Sequence, residues 1–257
     1  MGIVQKLLGE EQAAYDAFYK ATWNEDTQAG AFYQLASLEA KQHRYPQALE
    51  FVDKALVKNS HNMKARVLRL ALLRKLGKST ETEILANLEI DALDLGTWYE
   101  YSQLFPDKQS HWEKLMRGSR NNYLELALDY LHAGQFEEAE QILKHFPGNS
   151  PLPLYYRAYI HLLKEEQTQA QALIEQAEQA DPDYCFPNKI EEAVILSAIV
   201  RYDPTAGFAK YFLGNLLYDK KIGNKQCNYG RQARNFYPTF QPYTAICLLL
   251  TIMLRMT

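Results

Sequence analysis

Cysteine is scarce. Cys185, Cys227 and Cys247 are the three in 257 residues, and none stands in a CxxC pair. So thin a set supports neither a disulfide framework nor a thiolate zinc cage, and it fits a reducing, cytoplasmic compartment. Glycine and proline are few, 12 and 10, and no low-complexity tract occurs, which argues against disorder. The longest apolar run, 245–254, is about half of the roughly 20 residues a membrane-spanning helix needs. The opening MGIVQKLLGEEQ is too short in apolar residues for a signal peptide and carries no Ser or Thr at the myristoylation position. A formal net charge of −3 offers no basic excess for nucleic acid or an anionic membrane surface.

Signatures of chemistry are missing too. There is no Gly-x-Ser-x-Gly, no Rossmann glycine pattern and no HExxH, and the six histidines are scattered. Gly77-Lys78-Ser79-Thr80 matches the end of a phosphate loop, but Leu72 stands where the leading glycine belongs, so it reads as a turn. Glu165-Glu166 and Glu191-Glu192 are adjacent and point to different sides of a helix, as surface charge does. The expectation is a protein that is not an enzyme and holds no cofactor and no metal.

What is present is one helical hairpin written twice between Asn121 and Pro182. Tyr123, Leu126, Ala127 and Tyr130 share a stripe, a turn falls at Gly134, and Phe136, Ala139 and Leu143 begin a second stripe. In the next copy Ala158 takes the part of Ala127, Ala170 that of Ala139 and Ile174 that of Leu143, before Ala177 and an Asp181-Pro182 stop. The small-to-small spacing is twelve in both (139 − 127 and 170 − 158). Paired helices approach closely only where neither carries a bulky side chain, and larger apolar residues then fill the layers on either side. Proline ends the second helix. A single hairpin cannot bury its own apolar face, so this register predicts a stacked array, and hence a surface for holding something.

The register extends along the chain. Ala13, Ala14, Tyr15, Ala17, Phe18 and Ala21 mark a helix ending at Trp23, the second of a hairpin whose first helix is shortened or missing. Phe32, Leu35 and Ala36 lead through a turn near His43-Arg44 to Tyr45, Ala48, Val52 and Ala55, again with a spacing of twelve (48 − 36). From Met63 to Leu95 the pattern loosens around Gly77, and Thr97 to Asn121 is the most worn unit. Beyond an irregular link, 183–188, a helix carries Ala193, Leu196, Ala198 and Ile199 to Asp203-Pro204, and Leu213-Gly214 marks the first helix of a further unit over 204–219. No strand pattern appears.

The Leu-Ala and Leu-Gly pairs, turn glycines and Asp-Pro stops resemble tetratricopeptide repeats, helix-turn-helix units of about 34 residues. The resemblance covers residues 29–62, 120–150, 151–182 and 204–219 and is weak over 63–119. More narrowly, AFYKATWN and DYCFPNKIEEA…DPTAGFAKYFLGNLLYDK resemble the C-terminal array of large bacterial proteins that carry a β-rich N-terminal domain of unknown function. On that resemblance the chain is a fragment or a truncated product.

Residues 220–257 differ in character. They contain no Asp or Glu, and Gln226 stands where a small residue is due, twelve beyond Gly214. Two readings are open. One is a shift of reading frame soon after Lys221, which leaves an aggregation-prone segment over Ile246–Leu254. The other is a capping helix, Tyr243–Arg255.

The array implied is an all-α, right-handed superhelix of about seven hairpins over 1–219. First helices of such hairpins line the concave face, and side chains off the packing stripe project into it. That selects Tyr33 and Ser37, Leu124 and Leu128, Tyr155 and Tyr159, then Tyr211, Asn215 and Tyr218. Tyrosine suits recognition by its area, its hydrogen-bonding end and its low rotamer freedom, but each one serves equally well as packing between repeats. The resemblance implies a protein or peptide partner, with no nucleic acid and no membrane. The alternative is an accessory array that positions a catalytic or carbohydrate-handling domain of a longer parent.

Overall fold

The computed structural model describes residues 1–219. Both readings of the tail, and the segment 246–254, lie outside the described residues. The chain divides into two compact units, Met1–Pro147 and the part from Gly148 onward. Among the described residues every regular element is a helix.

The first unit opens with α1 (Gly2–Leu7), α2 (Glu11–Ala21), α3 (Glu25–Lys41) and α4 (Tyr45–Lys58). It continues with α5 (Met63–Lys75), α6 (Glu81–Ile90), α7 (Leu95–Leu104), α8 (Gln109–Met116), α9 (Arg120–His132) and α10 (Phe136–Lys144). The second unit holds α11 (Pro151–Leu163), α12 (Gln167–Glu178), α13 (Ile190–Tyr202) and α14 (Gly207–Asp219). Taken in order, consecutive helices pack in seven pairs among the described residues. The worn stretch 63–119 is as helical as the rest, and its interior is built on Tyr99, Trp112 and Met116.

The small residues of the register are buried. Ala36, Ala48, Ala127, Ala139, Ala158 and Ala170 are all at most 1% exposed. Ala55 and Ala177, seven positions beyond Ala48 and Ala170, are fully buried as well.

The turns repeat as faithfully as the alanines. His43, Gly77, Gly134 and Glu165 each adopt a left-handed backbone, with φ between 59° and 68°. At each, the next residue's N–H reaches back five positions: Arg44 to Glu39, Lys78 to Leu73, Gln135 to Tyr130 and Glu166 to His161, all at 2.9 Å. This is the Schellman closure of a helix C-terminus, and it sends the chain straight into the return helix. Gly77-Lys78-Ser79-Thr80 is one of these turns, leading from α5 into α6. The outgoing helices α3, α5 and α7 are started differently, by Asn24, Asn62 and Asp94, whose side chains accept the N–H of Asp26, Ala65 and Thr97.

Within the first unit the chain curls far enough for α9 to meet α3. Ala133 joins the cluster of Ala36, Ala40, Ala48, Val52 and Leu72. At Gly134 an added Cβ would lie 2.6 Å from the Lys41 backbone, so glycine is required both for φ and for this approach. In the second unit α13 lies against α11 and α14 against α12.

Overpacking a crossing by Ala139→Leu or Ala170→Leu should cost on the order of 1–3 kcal/mol, and an unchanged melting temperature would contradict the assigned register. Gly77→Ala meets open space and should cost about 1–2 kcal/mol of left-handed strain. Gly134→Ala should cost clearly more, because it also drives into Lys41. Equal losses in urea denaturation would rule out the α3–α9 approach.

Candidate functional site

A cleft of about 290 Å³ opens in the first unit between α3, α5 and α9, with the α6–α7 link along one edge. Its floor is apolar: Val67, Leu68 and Ala71 from α5 and Leu126 from α9, all buried. These side chains face inward because α5 and α9 present the same stripe that packs on neighbouring hairpins. Gly96 at the start of α7 lets that helix seat on α5, since a Cβ there would lie 2.6 Å from a Val67 methyl. Tyr33 contributes the aromatic wall from α3, and Tyr130 a second from α9.

The rim is acidic. Asp91 and Asp94 come from the α6–α7 link, Glu125 and Asp129 from α9, and Lys64 is the cation among the described lining residues. Lys64 pairs with Asp129 at 2.7 Å, joining α5 to α9 at the mouth. Asp91 accepts the Leu93 N–H at 2.9 Å, and Asp94 accepts that of Thr97 at 2.7 Å. Burial pushes the Asp94 carboxyl up, with its bonds to Thr97 opposing and the Asp91 charge adding to the rise. Burial, helped by the Asp129 charge, raises the Tyr33 hydroxyl well above its ordinary value, so it is protonated at neutral pH.

The walls are tied by a buried polar network. Arg74 of α5 grips Glu100 of α7 at 2.8 and 3.2 Å and reaches Glu138 of α10 at 3.1 Å. The Tyr130 hydroxyl donates to Glu100 at 2.6 Å, and Lys75 pairs with Glu138 at 2.7 Å. Burial alone would raise the Glu138 carboxyl, but Lys75 and Arg74 outweigh it and hold it below its ordinary value. Two cations and two carboxylates make a network that fixes α5, α7, α9 and α10 to one another, with Arg74 and Lys75 both on Oε1 of Glu138 while its buried Oε2 has no hydrogen-bond partner among the described residues.

The residues selected from sequence meet different fates. Tyr33 lines the cleft. Ser37, one turn further, is buried and donates to the Tyr33 carbonyl at 3.0 Å. Leu124 and Leu128 are interior residues rather than a surface, 1% and 5% exposed. In the second unit Tyr155 is fully buried, and its hydroxyl donates to Glu178. Glu178 in turn accepts the first N–H groups of α14, Gly207 at 2.9 Å and Phe208 at 3.0 Å, a carboxylate at a helix N-terminus. Its neighbour Tyr156 donates to Glu192 at 3.2 Å, and Glu192 accepts the Lys189 N–H at the start of α13. Tyr155 is therefore a packing residue. Tyr211 is also buried, against Phe212, while Tyr159 and Asn215 are half-buried and Tyr218 is exposed.

Sequence reasoning missed the acidic rim. Asp91 and Asp94 lie in the stretch 63–95, where the register loosens, and Glu125 and Asp129 lie off the α9 stripe of Tyr123, Leu126, Ala127 and Tyr130. Among the described residues no three His, Cys, Asp or Glu side chains converge as a metal site, and no helix is long and apolar enough to cross a membrane.

No family model matches the chain. Solved structures do. The C-terminal part of a TPR repeat-containing protein from Cytophaga hutchinsonii is 12% identical, covers 95% of this chain and 97% of its own, and superposes with a TM-score of 0.37. A tetratricopeptide repeat protein from Parabacteroides merdae is 15% identical over 96% of this chain and 95% of its own, with a TM-score of 0.38. The likeness is to tetratricopeptide repeat proteins. YrrB, described as a TPR protein with an unusual peptide-binding site, is 15% identical over 90% of this chain and 98% of its own, with a TM-score of 0.31. Superpositions this loose carry nothing about function. The tetratricopeptide-like character of the hairpins rests on the buried alanine pairs and the repeated left-handed turns.

His132, on α9 beyond Asp129, gives a pH prediction. Burial, then the charges of Lys6, Lys64 and Lys41, push it from its ordinary 6.5 down to about 3. The folded chain keeps it neutral while an unfolded chain protonates it, so unfolding takes up a proton between those values. Stability should fall as pH drops through that window, by at most about 1.4 kcal/mol per pH unit. His132→Gln should flatten the urea midpoint between pH 6.5 and 5, above the carboxylate range. An unchanged slope would contradict the buried neutral imidazole.

Proposed function

We propose that this chain is a non-catalytic protein-interaction module, and that the cleft between α3, α5 and α9 holds a peptide segment of its partner. The observation that carries the reading is the cleft itself: an apolar floor, an aromatic wall at Tyr33 and a polar rim on otherwise well-packed hairpins. Such a mixture anchors a side chain and orients a backbone, and nothing in it converges on a reacting atom. In the second unit, Tyr159, Asn215 and Tyr218 keep accessible surface for further contact, with Ser37, Leu124, Leu128, Tyr155 and Tyr211 supplying the packing behind the two surfaces. A cytoplasmic setting belongs to the same reading and agrees with the scarcity of cysteine, three in the whole chain.

The test is selection from a displayed random peptide library on the chain alone. Binders should emerge. Tyr33→Ala should weaken them tenfold or more with helicity unchanged, the loss expected for an aromatic anchor. Leu93→Ala, at a rim position 65% exposed, should weaken them without touching the fold. No binder, or binders indifferent to both substitutions, would contradict the module and favour an accessory array that acts only beside a parent domain.

A further inference from the structure

The worn unit carries aromatic residues on two sides of α7. Tyr99 points inward, 1% exposed, and packs on Trp112 and Tyr130 with ring centroids 5.3 Å away in both cases. Trp98, Tyr101 and Phe105 follow one another at helical spacing on the other side and stay half-buried, beside the exposed Leu104. A helix buries one apolar stripe in its own core, and a second stripe calls for a second partner. Trp98 lies 5.6 Å from Tyr101 and 4.2 Å from His111 of α8, and Tyr101 meets Phe105 edge-on at 5.4 Å. Rings this close touch one another, so they form a platform rather than a cage. The Trp98 indole N–H is taken by the Ala92 carbonyl at 2.8 Å, which locks the ring and leaves its π face as what it can offer. The platform already carries a cation. Lys108, in the turn Pro106–Lys108 between α7 and α8, holds its Nζ 5.8 Å from the Tyr101 ring centroid, within the roughly 6 Å reach of a cation–π contact. Its counterion is the neighbouring Asp107 carboxylate at 2.9 Å, and the two side chains are 37% and 69% exposed. An ion pair this open holds its partners weakly. A ring face beside a carboxylate suits a guanidinium, whose plane stacks on the ring while its N–H groups pair with the oxygens. The compact, strongly hydrated ammonium of lysine uses the same pair less well.

We propose that this platform is a second interaction surface, one that takes an arginine side chain of a partner protein. The guanidinium stacks on Tyr101 beside Trp98 and pairs with Asp107, in the place where the Lys108 ammonium sits in this structure. Lys108 is then a tethered competitor that swings into solvent when the arginine arrives. Trp98, Tyr101, Asp107 and Lys108 are not among the residues lining the cleft, so the site does not rest on the peptide-binding reading of that cleft.

Saturation-transfer NMR titrations of the full chain with three short peptides test it: one built of alternating glycine and arginine, its citrulline counterpart of the same shape without the charge, and its lysine counterpart. The arginine peptide should bind about fivefold more tightly than either of the others, with the strongest saturation at its side-chain methylenes. Tyr101→Leu keeps the apolar bulk and removes the π face, and it should cut that affinity about fivefold while circular dichroism stays unchanged. Lys108→Ala should raise the affinity severalfold. Lys114→Ala, which removes the same charge from an exposed position of α8, should not. Citrulline or lysine peptides that bind as tightly, indifference to Tyr101→Leu, equal effects of the two lysine substitutions, or no binding at all would each overturn the proposal. Tyr33→Ala should leave this binding unchanged. A loss there would place the peptide in the cleft, which sinks the platform and leaves the cleft reading standing.

Discussion

Two helices can run side by side at close range only where neither pushes a large group between them. Every hairpin with a clear register meets this condition with alanine: Ala36 and Ala48, Ala127 and Ala139, Ala158 and Ala170. The turn that joins each such pair must reverse the chain within a few residues, and the left-handed residue at His43, Gly134 or Glu165 does so. Two of those three are not glycine, so the geometry is imposed by the packing that follows rather than by local preference. With crossings and turns fixed, the larger side chains have defined layers to fill, and the outward stripes of α3, α5 and α9 fall opposite one another.

Tyrosine does two kinds of work on this frame. Tyr130, Tyr155 and Tyr156 are buried, and each hydroxyl donates to a carboxylate on another helix or link: Glu100, Glu178 and Glu192. Glu178 and Glu192 pass the tether on by accepting N–H groups at the starts of α14 and α13. A buried hydroxyl and a buried carboxylate are each costly alone and acceptable together. Tyr33 is of the other kind, half-buried on the core cluster and facing the cleft.

Helix content, the alanine register and the turn at Gly134 were legible in the sequence because each is a local pattern of period, size or backbone freedom. The cleft was not. It joins Tyr33 to Asp129 across nearly a hundred residues, and it depends on a curl that no repeat unit encodes by itself. The fate of Tyr155 was equally hidden. Its spacing on α11 marks a face, but whether that face is open or covered depends on α12 and α14, and on Glu178 arriving 23 residues later. Off-stripe position predicts projection, and neighbours decide exposure.

Disulfide trapping gives the plainest measurement of the crossings. In a chain whose three native cysteines are replaced by alanine, Ala127→Cys with Ala139→Cys should oxidise to an intramolecular disulfide, because paired Cα atoms must lie within about 4.4–6.8 Å for the bond to close. The control pair Ala127→Cys with Glu137→Cys, with the second position on the exposed side of α10, should remain reduced under the same oxidant. A cross-link in the first chain alone is the expected result. Failure of the first pair to close, or equal closure of both, would contradict the close approach of these helices at their alanines.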